Sequence, residues 1–175
     1  MKLIFLDIDG VLNHENTKVV TPSGSLGIED ECISRLARIV SETEAKIILT
    51  SDWKIGWESF PECCSEDGNY LNRMLQKHGL KIHAKTYDEH VYDRFFEDRG
   101  RGIHRFLEPL LNVTGYVVID DHMFADFDKE IKEHLVLTDY RVGLTDSDVE
   151  KSIDLLNGKV KSKILQNIRF GNLDK

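Results

Sequence analysis

The sequence of 175 residues has few cysteines, no long apolar run and no excess of basic residues. Its three cysteines, Cys32, Cys63 and Cys64, lack the spacing of a structural zinc site and form a poor disulfide framework. Free thiols of this kind suit a reducing compartment. Four apolar residues before Asp7 are too few for a secretion signal, and no stretch approaches the roughly 20 apolar residues of a membrane span. We therefore expect a cytoplasmic protein.

The charge balance is acidic, with 23 lysines and arginines against 31 aspartates and glutamates and a formal net charge of −8. Tight, nonspecific binding to nucleic acids or anionic membranes depends on basic patches, so this balance argues against both without excluding a local basic site. With 41% hydrophobic and 31% charged residues, the composition is that of a globular domain and excludes a disordered or collagen-like chain.

Short apolar runs alternate with amphipathic segments along the chain. Strands are predicted at residues 2–6, 46–49, 80–87, 116–119 and 134–137. Helices are predicted at residues 29–41, 70–78 (with Gly79 as C-cap), 101–111 and from Thr145, whose pairing with Asp148 resembles a capping box, to about residue 156. This alternation predicts an α/β fold with a mainly parallel sheet, in which ligands bind beyond the carboxyl ends of the strands.

Two acidic pairs follow predicted strands. Asp7 and Asp9 flank one residue and precede Gly10, where the chain can turn and bring both carboxylates to one pocket, although a purely structural turn is the alternative. Asp120 and Asp121 are adjacent and repel each other unless a cation or hydrogen-bond donors compensate. Carboxylate oxygens of this kind suit Mg²⁺, whereas the alternative is an acidic loop in water.

Hydroxyl and basic residues complete the candidate site. Thr50 and Ser51 follow the second predicted strand, where a hydroxyl can bind a phosphoryl oxygen or cap a helix. Arg99 and Arg101 open a predicted helix, and a cation there would offset negative charge in phosphoryl transfer.

The order of these residues resembles the haloacid dehalogenase (HAD) superfamily, and the resemblance extends from about residue 2 to residue 156. It is carried by the motifs Asp7-x-Asp9-Gly-Val, Thr50-Ser51 after a strand, a basic residue, and Asp120-Asp121 after a strand. The stretches 47–54 (IILTSDWK), 99–103 (RGRGI), 116–121 (YVVIDD) and 143–145 (GLT) are most similar to the small HAD domains associated with RNA-repair proteins. The implied fold is a Rossmann-like three-layer sandwich with a minimal cap.

The resemblance also implies chemical roles. Asp7 would attack phosphorus and form an aspartyl-phosphate, while Asp9 would protonate the leaving oxygen and then activate water. The Asp7 carboxylate, the Asp9 backbone carbonyl and Asp120 or Asp121 would hold Mg²⁺. Thr50 would bind the phosphoryl group, with Ser51 as the alternative. Arg99 is favoured as the cation at this group, with Arg101 in reserve.

These roles predict a Mg²⁺-dependent phosphomonoester hydrolase in residues 1–158, followed by a basic tail of unassigned role in residues 159–175. The segments 10–28 and 57–68 are too short for a helical cap domain. An open site would suit an extended phosphorylated substrate such as a nucleotide or an RNA or DNA end.

Two other functions compete with hydrolysis. A receiver-like phosphoacceptor also groups carboxylates around Mg²⁺, but its acceptor lies on a middle strand, whereas here Asp7 and Asp9 come first and Asp120 and Asp121 come late. A catalytically silent HAD-like domain that binds a protein or nucleic-acid partner is the other alternative, and the presence of every expected chemical residue argues against it.

Overall fold

A computed structural model describes residues 1–87 and 98–158, in which strands and helices alternate. The strands are β1 (Lys2–Leu6), β2 (Lys46–Leu49), β3 (Ile82–Lys85), β4 (Gly115–Asp120) and β5 (Leu135–Leu137). The α-helices are α1 (Asp30–Thr43), α2 (Glu66–Lys77), α3 (Arg99–Leu107), α4 (Lys129–Glu133) and α5 (Asp146–Leu156). The strands form one parallel sheet in the order β3-β2-β1-β4-β5, so β1 lies at its centre.

The strand register aligns the carboxyl ends of the three central strands. Leu6 at the end of β1 pairs with Leu49 of β2 and Ile119 of β4. The backbone then continues the ladder, since the Thr50 N–H donates to the Leu6 carbonyl and the Asp7 N–H donates to the Ile119 carbonyl, each at 2.9 Å. Residues that follow β1, β2 and β4 therefore emerge side by side.

Apolar side chains on both faces of the sheet make it the middle of three layers. Successive residues of a strand point to opposite faces, so Ile4 and Leu6 join the core formed with α1, α2 and α5, whereas Leu3 and Phe5 join the core formed with α3 and α4. Burying each side chain of this size contributes about 1.5–3 kcal/mol. The continuous apolar strands predicted from the sequence are what two covered faces require. The Rossmann-like three-layer sandwich is thereby confirmed.

Helix boundaries differ from the sequence predictions where local capping decides them. α2 begins at Glu66 rather than at residue 70, because the Ser65 hydroxyl accepts the Gly68 N–H at 3.0 Å and caps the helix. α3 covers Arg99–Leu107 rather than 101–111 and ends two residues before Pro109. The capping box at Thr145 and Asp148 is present as predicted.

Three elements of the described residues were not predicted, and all are short. A 3₁₀ helix over Asp52–Ile55 follows β2, a second over Pro61–Cys63 precedes α2, and α4 has five residues. None is long enough to show a helical periodicity of apolar residues.

Among the described residues, the insertions beside the site are small. The segment between β1 and α1 carries one isolated antiparallel bridge, between Val20 and Leu26, and the segment before α2 carries a 3₁₀ helix over Pro61–Cys63. These insertions fit the minimal cap predicted from the sequence. Within the described ranges, no helix combines the length and apolar character needed to cross a membrane. The predicted tail, residues 159–175, lies outside the described residues.

Candidate active site

Three of the predicted site residues meet at the carboxyl edge of the sheet. Asp7 follows β1, Thr50 follows β2 and Asp120 ends β4, and all three are buried. The register described above explains their proximity, since these are the residues that come directly after the aligned ends of the central strands or end them.

Arg99, at the start of α3, connects two of these carboxylates. Its Nη1 donates to Asp7 Oδ1 at 2.8 Å and to Asp120 Oδ2 at 2.9 Å, and its Nη2 lies 3.4 Å from Asp52 Oδ1. The guanidinium carbon lies 4.4 Å from the ring centre of Phe124, which covers one face of the cation. A guanidinium suits this position because its rigid fork of donors can bond several carboxylates at once.

A third carboxylate, Asp121, completes an oxygen cluster with Asp7 and Asp120. Each of the three offers an oxygen, and these oxygens lie within 4.8 Å of one another. Gly10 makes this arrangement possible, because a Cβ at that position would stand 2.2 Å from Asp121 Oδ2. The φ of +71° at Gly10 is also a conformation that other residues rarely adopt.

The guanidinium of Arg99 offsets only part of the negative charge of these three carboxylates. Burial raises the pKa of Asp7 even though Arg99 opposes the shift. Burial, followed by the charge of Asp7, raises the pKa of Asp120 to about 7. Burial also raises the pKa of Asp121. Three carboxylates beside one guanidinium leave an excess of negative charge, and hard oxygen donors of this type fit Mg²⁺.

Asp9 lies beside this cluster but is exposed, and its carboxylate is held by two donors. Asn13 Nδ2 donates to Asp9 Oδ1 at 2.8 Å, and the indole Nε1 of Trp53 donates to Asp9 Oδ2 at 3.0 Å. The Asn13 Oδ1 accepts the Gly10 N–H at 2.9 Å, which fixes the turn that follows Asp9. The Asp9 side chain is therefore directed to donors outside the oxygen cluster.

The two hydroxyl candidates have different surroundings. Thr50 Oγ1 is fully buried and has no hydrogen-bond partner among the described residues. Ser51 Oγ accepts the Trp53 N–H at 3.4 Å, and the Ser51 side chain acts to lower the pKa of Asp7. An unpaired buried hydroxyl costs about 1–3 kcal/mol, so the Thr50 hydroxyl is a group that a ligand oxygen would satisfy.

The two arginine candidates are separated by the geometry of α3. Arg99 is buried against Asp7, whereas Arg101 is exposed and lines a surface groove with His104, Arg105 and Glu130. The structure brings together Asp7, Asp9, Thr50, Ser51, Arg99, Asp120 and Asp121, but leaves the Arg101 side chain outside that group.

Sequence reasoning missed several residues that support the site. Asp52 and Phe124 contact Arg99, and Asn13 and Trp53 contact Asp9. The ring of Trp53 is partly buried against the core, and its indole N–H reaches Asp9. The signal available was position alone, since these residues lie within a few positions of strand ends.

Comparison with known proteins assigns the family. A family model described as "HAD domain in Swiss Army Knife RNA repair proteins" matches residues 3–149. The chain belongs to this family. The match covers every site residue named above, and it makes the chain a HAD-type hydrolase domain, as the sequence motifs predicted.

No curated protein matches the chain. Among solved structures, the HAD domain is similar to a protein described as a HAD superfamily (subfamily III A) hydrolase from Legionella pneumophila. That match has 11% identity and a TM-score of 0.42, and it covers 96% of this chain and 89% of the other.

Proposed function

We propose that this HAD domain is a Mg²⁺-dependent phosphomonoester hydrolase that works through an aspartyl-phosphate on Asp7. The observation that carries the proposal is the pairing of a buried Asp7, bonded to Arg99, with an exposed Asp9 two residues later. One carboxylate is positioned to bond phosphorus, and the other is available to exchange protons with a leaving group and with water.

In the first step, an Asp7 carboxylate oxygen attacks phosphorus, and the bond from phosphorus to the leaving oxygen breaks. Protonated Asp9 gives its proton to that oxygen, so the product alcohol leaves neutral and Asp9 becomes a carboxylate. Arg99 keeps its positive charge throughout, since Asp7 and Asp120 outweigh the effect of burial and raise its pKa.

In the second step, Asp9 takes a proton from water as the water oxygen attacks phosphorus. The bond between phosphorus and the Asp7 oxygen breaks, inorganic phosphate forms, and both carboxyl groups return to their starting states. The same Asp9 oxygen serves as acid and then as base, which requires an exposed side chain held in one place.

Two groups would bind the transferring phosphoryl group. The unpaired, buried hydroxyl of Thr50 supports its role as a donor to a phosphoryl oxygen. Ser51 Oγ already has a partner in the Trp53 N–H, which favours Thr50 over Ser51. The guanidinium of Arg99 is favoured over that of Arg101, because only Arg99 contacts the Asp7 carboxylate among these two.

Asp7, Asp120 and Asp121 would hold Mg²⁺, together with the backbone carbonyl of Asp9. When bound, the ion supplies positive charge that offsets the charge of the phosphoryl group. The fit rests on the oxygen-only donor set and on the excess negative charge of the cluster.

The substrate we propose is a nucleotide or the phosphorylated end of an RNA or DNA strand. The family is named for RNA repair proteins, and the described insertions around the site are small enough to leave Asp9 exposed. The net charge of −8 indicates recognition through local contacts rather than through a broad basic surface.

Hydrolysis of p-nitrophenyl phosphate, measured with Mg²⁺ and with EDTA, tests the reaction class. We expect turnover that requires Mg²⁺ and that Asp7→Asn reduces by at least about 1000-fold, since it removes the nucleophile. Asp30→Asn, which changes an exposed aspartate on α1, is the matched control and should keep wild-type activity.

Substrate class is tested next with nucleotides and with 3′- or 5′-phosphorylated oligonucleotides under the same conditions. Absence of turnover on every phosphomonoester, together with absence of beryllofluoride binding at Asp7, would overturn the proposal. Retained binding of an oligonucleotide by that inactive protein, unchanged in Asp7→Asn, would instead identify a silent binding domain.

A further inference from the structure

The indole N–H of Trp53 points to a role that the proposed reaction has not assigned. We infer that Trp53 is a positioning residue for the general acid: it holds the Asp9 carboxylate toward the leaving group, together with Asn13. This inference rests on the proposed function, because it concerns the proton that Asp9 transfers in that reaction.

Among the described residues, Asn13 and Trp53 are the side chains that hydrogen-bond the Asp9 carboxylate. The Asp9 side chain is exposed, and it follows the end of β1 just before the turn at Gly10. An exposed carboxylate samples several rotamers, and a general acid that does so spends little time within reach of its target oxygen. Two donors, one on each oxygen, remove that freedom.

Both donors to Asp9 are themselves held in place by their surroundings. Asn13 is 1% exposed, and its own Oδ1 accepts the Gly10 N–H. Trp53 belongs to the 3₁₀ helix that Ser51 caps, and its partly buried ring packs against the main core. A donor on a rigid element sets the position of its acceptor, whereas a mobile donor would follow it.

Ser51 lies between the surroundings of Asp7 and of Asp9, because Trp53 contacts both Ser51 and Asp9. The Ser51 side chain is close enough to Asp7 to favour its charged form and act to lower its pKa, and it accepts the backbone N–H of Trp53 at 3.4 Å. The indole N–H of Trp53 in turn reaches Asp9. The proposed nucleophile and the proposed acid therefore both lie beside the same short turn, the 3₁₀ helix that Ser51 caps. The separation of the two carboxylates then depends on that turn, in addition to the backbone that follows β1.

The surface beside Asp9 forms a groove that a leaving group could enter. Trp53 and Asp9 line one groove of about 310 Å³, which also includes Asp52, Ser65 and Asp67. A leaving group that extends from phosphorus past Asp9 would enter this groove, so the indole lies on the side where the proton is delivered.

The chemical consequence is specific to the leaving-group step. As the Asp9 proton moves to the leaving oxygen, negative charge develops on the carboxylate, and N–H donors to both oxygens stabilise it. Leaving groups that depart poorly as anions depend on this proton, whereas p-nitrophenolate departs readily without it. Loss of the Trp53 donor should therefore affect poor leaving groups most.

The kinetic test compares Trp53→Phe with Trp57→Phe on p-nitrophenyl phosphate and phenyl phosphate. Trp57 donates its indole N–H to Asn72 Oδ1 at 2.9 Å, so its variant removes an equivalent bond that does not involve Asp9. The parameter is kcat/KM, which reports steps up to the departure of the leaving group. For Trp53→Phe we expect a loss of about tenfold on phenyl phosphate and at most about threefold on p-nitrophenyl phosphate.

Trp57→Phe should change both substrates equally. In an Asp9→Asn background, Trp53→Phe should cause no additional change in the ratio between the two substrates, because its effect passes through Asp9. An equal loss on both substrates in Trp53→Phe, or no loss, would overturn the inference while leaving the hydrolase proposal intact.

A spectroscopic test keeps the inference falsifiable if Trp53→Phe fails to fold or if no turnover is found. The sequence contains two tryptophans, so the ¹⁵N–¹H spectrum has two indole resonances to assign. Asp9→Ala should shift the indole resonance of Trp53 and leave that of Trp57 in place. An unchanged Trp53 resonance would show that the hydrogen bond does not exist in solution.

Discussion

At the scale of single residues, the site is defined by polar groups whose local partners do not satisfy them. The Thr50 hydroxyl has no partner among the described residues, and the carboxylates of Asp7, Asp120 and Asp121 outnumber the guanidinium of Arg99. Both features cost folding free energy, and the proposed ligands would offset that cost: a phosphoryl oxygen for the hydroxyl and a divalent cation for the carboxylates.

Thr50→Val should therefore weaken catalysis without weakening the fold. Valine has nearly the shape of threonine and removes an unpaired hydroxyl, so we expect unchanged or higher stability, by up to about 1 kcal/mol, and a loss in kcat/KM of about 10- to 100-fold. Urea unfolding and the phosphatase assay measure the two effects.

Thr43→Val is the matched control for this prediction. Thr43 is buried like Thr50, but its Oγ1 donates to the Ile39 carbonyl at 2.6 Å. Its variant should lose about 1 kcal/mol of stability and keep its activity. A destabilised Thr50→Val protein with wild-type activity would contradict the role given to this hydroxyl.

Arg99→Ala should affect both the fold and the reaction. Removal of the guanidinium leaves Asp7 and Asp120 buried without their shared cation, which we expect to cost about 3 kcal/mol in metal-free protein. Added Mg²⁺ should restore part of that loss, because it supplies charge at the same carboxylates. Thermal unfolding with Mg²⁺ and with EDTA measures both effects.

Arg101→Ala, tested beside Arg99→Ala, decides between the two arginines. Since Arg101 is exposed, its variant should unfold like the wild type. A larger loss of activity in Arg101→Ala than in Arg99→Ala would reverse the assignment of the phosphate-binding cation.

At the scale of elements, short turns after the strands bring the chemical groups together. Gly10 allows the chain to turn after β1 and allows Asp121 to approach from the end of β4. The 3₁₀ helix after β2 supplies Asp52 to Arg99 and Trp53 to Asp9, and its Lys54 is buried with its ammonium 3.2 Å from the Thr50 carbonyl. The strands position these turns, and the turns position the side chains of the candidate site.

Gly10→Ala tests the contribution of the first turn, with Gly79→Ala as its matched control. Both glycines have φ of +71°, so both variants carry the same backbone strain of about 1 kcal/mol. A Cβ at Gly79 meets nothing within 4 Å, whereas one at Gly10 overlaps Asp121. We expect Mg²⁺ affinity, measured by calorimetry, to fall at least about tenfold in Gly10→Ala alone.

Wild-type Mg²⁺ affinity in both glycine variants would contradict a contribution of Asp121 to the cation site. Equal losses of affinity in both would attribute the effect to backbone strain.

Prediction from sequence succeeded for elements whose physics is local or periodic. Continuous apolar runs identified the central strands, and the polar residues after them indicated the site, because parallel strands align their carboxyl ends. The position of Trp53 could not be predicted, since its contact with Asp9 depends on the 3₁₀ helix and on the register of β1 with β2. Likewise, the choice of Arg99 over Arg101 as the partner of Asp7 depends on where α3 begins.

At the scale of the whole molecule, the excess negative charge of the site should couple stability to pH and to the proposed metal. Burial raises the pKa of Asp120 to about 7, and the pKa values of Asp7 and Asp121 are raised as well. Carboxyl groups with raised pKa values bind more protons in the folded state than in the unfolded state. Their contribution to stability is therefore fully present below about pH 4 and is lost as the pH rises through about 7.

For metal-free protein, this coupling predicts a free energy of unfolding that falls between pH 5 and pH 8. Mg²⁺ should remove most of that fall, because it favours the charged carboxylates. Urea unfolding at both pH values, with Mg²⁺ and with EDTA, measures the effect. A free energy of unfolding that rises with pH in EDTA would contradict the account of these carboxyl groups.

The most direct test of the central claim is to trap the covalent intermediate on Asp7. Asp9→Asn removes the base that activates water, so reaction with p-nitrophenyl phosphate and Mg²⁺ should accumulate an aspartyl-phosphate. Acid quenching, borohydride reduction and peptide mass spectrometry should then find homoserine at position 7, and EDTA should abolish it. Wild-type turnover with no modification at position 7 in the variant, or modification at another carboxylate, would contradict the account.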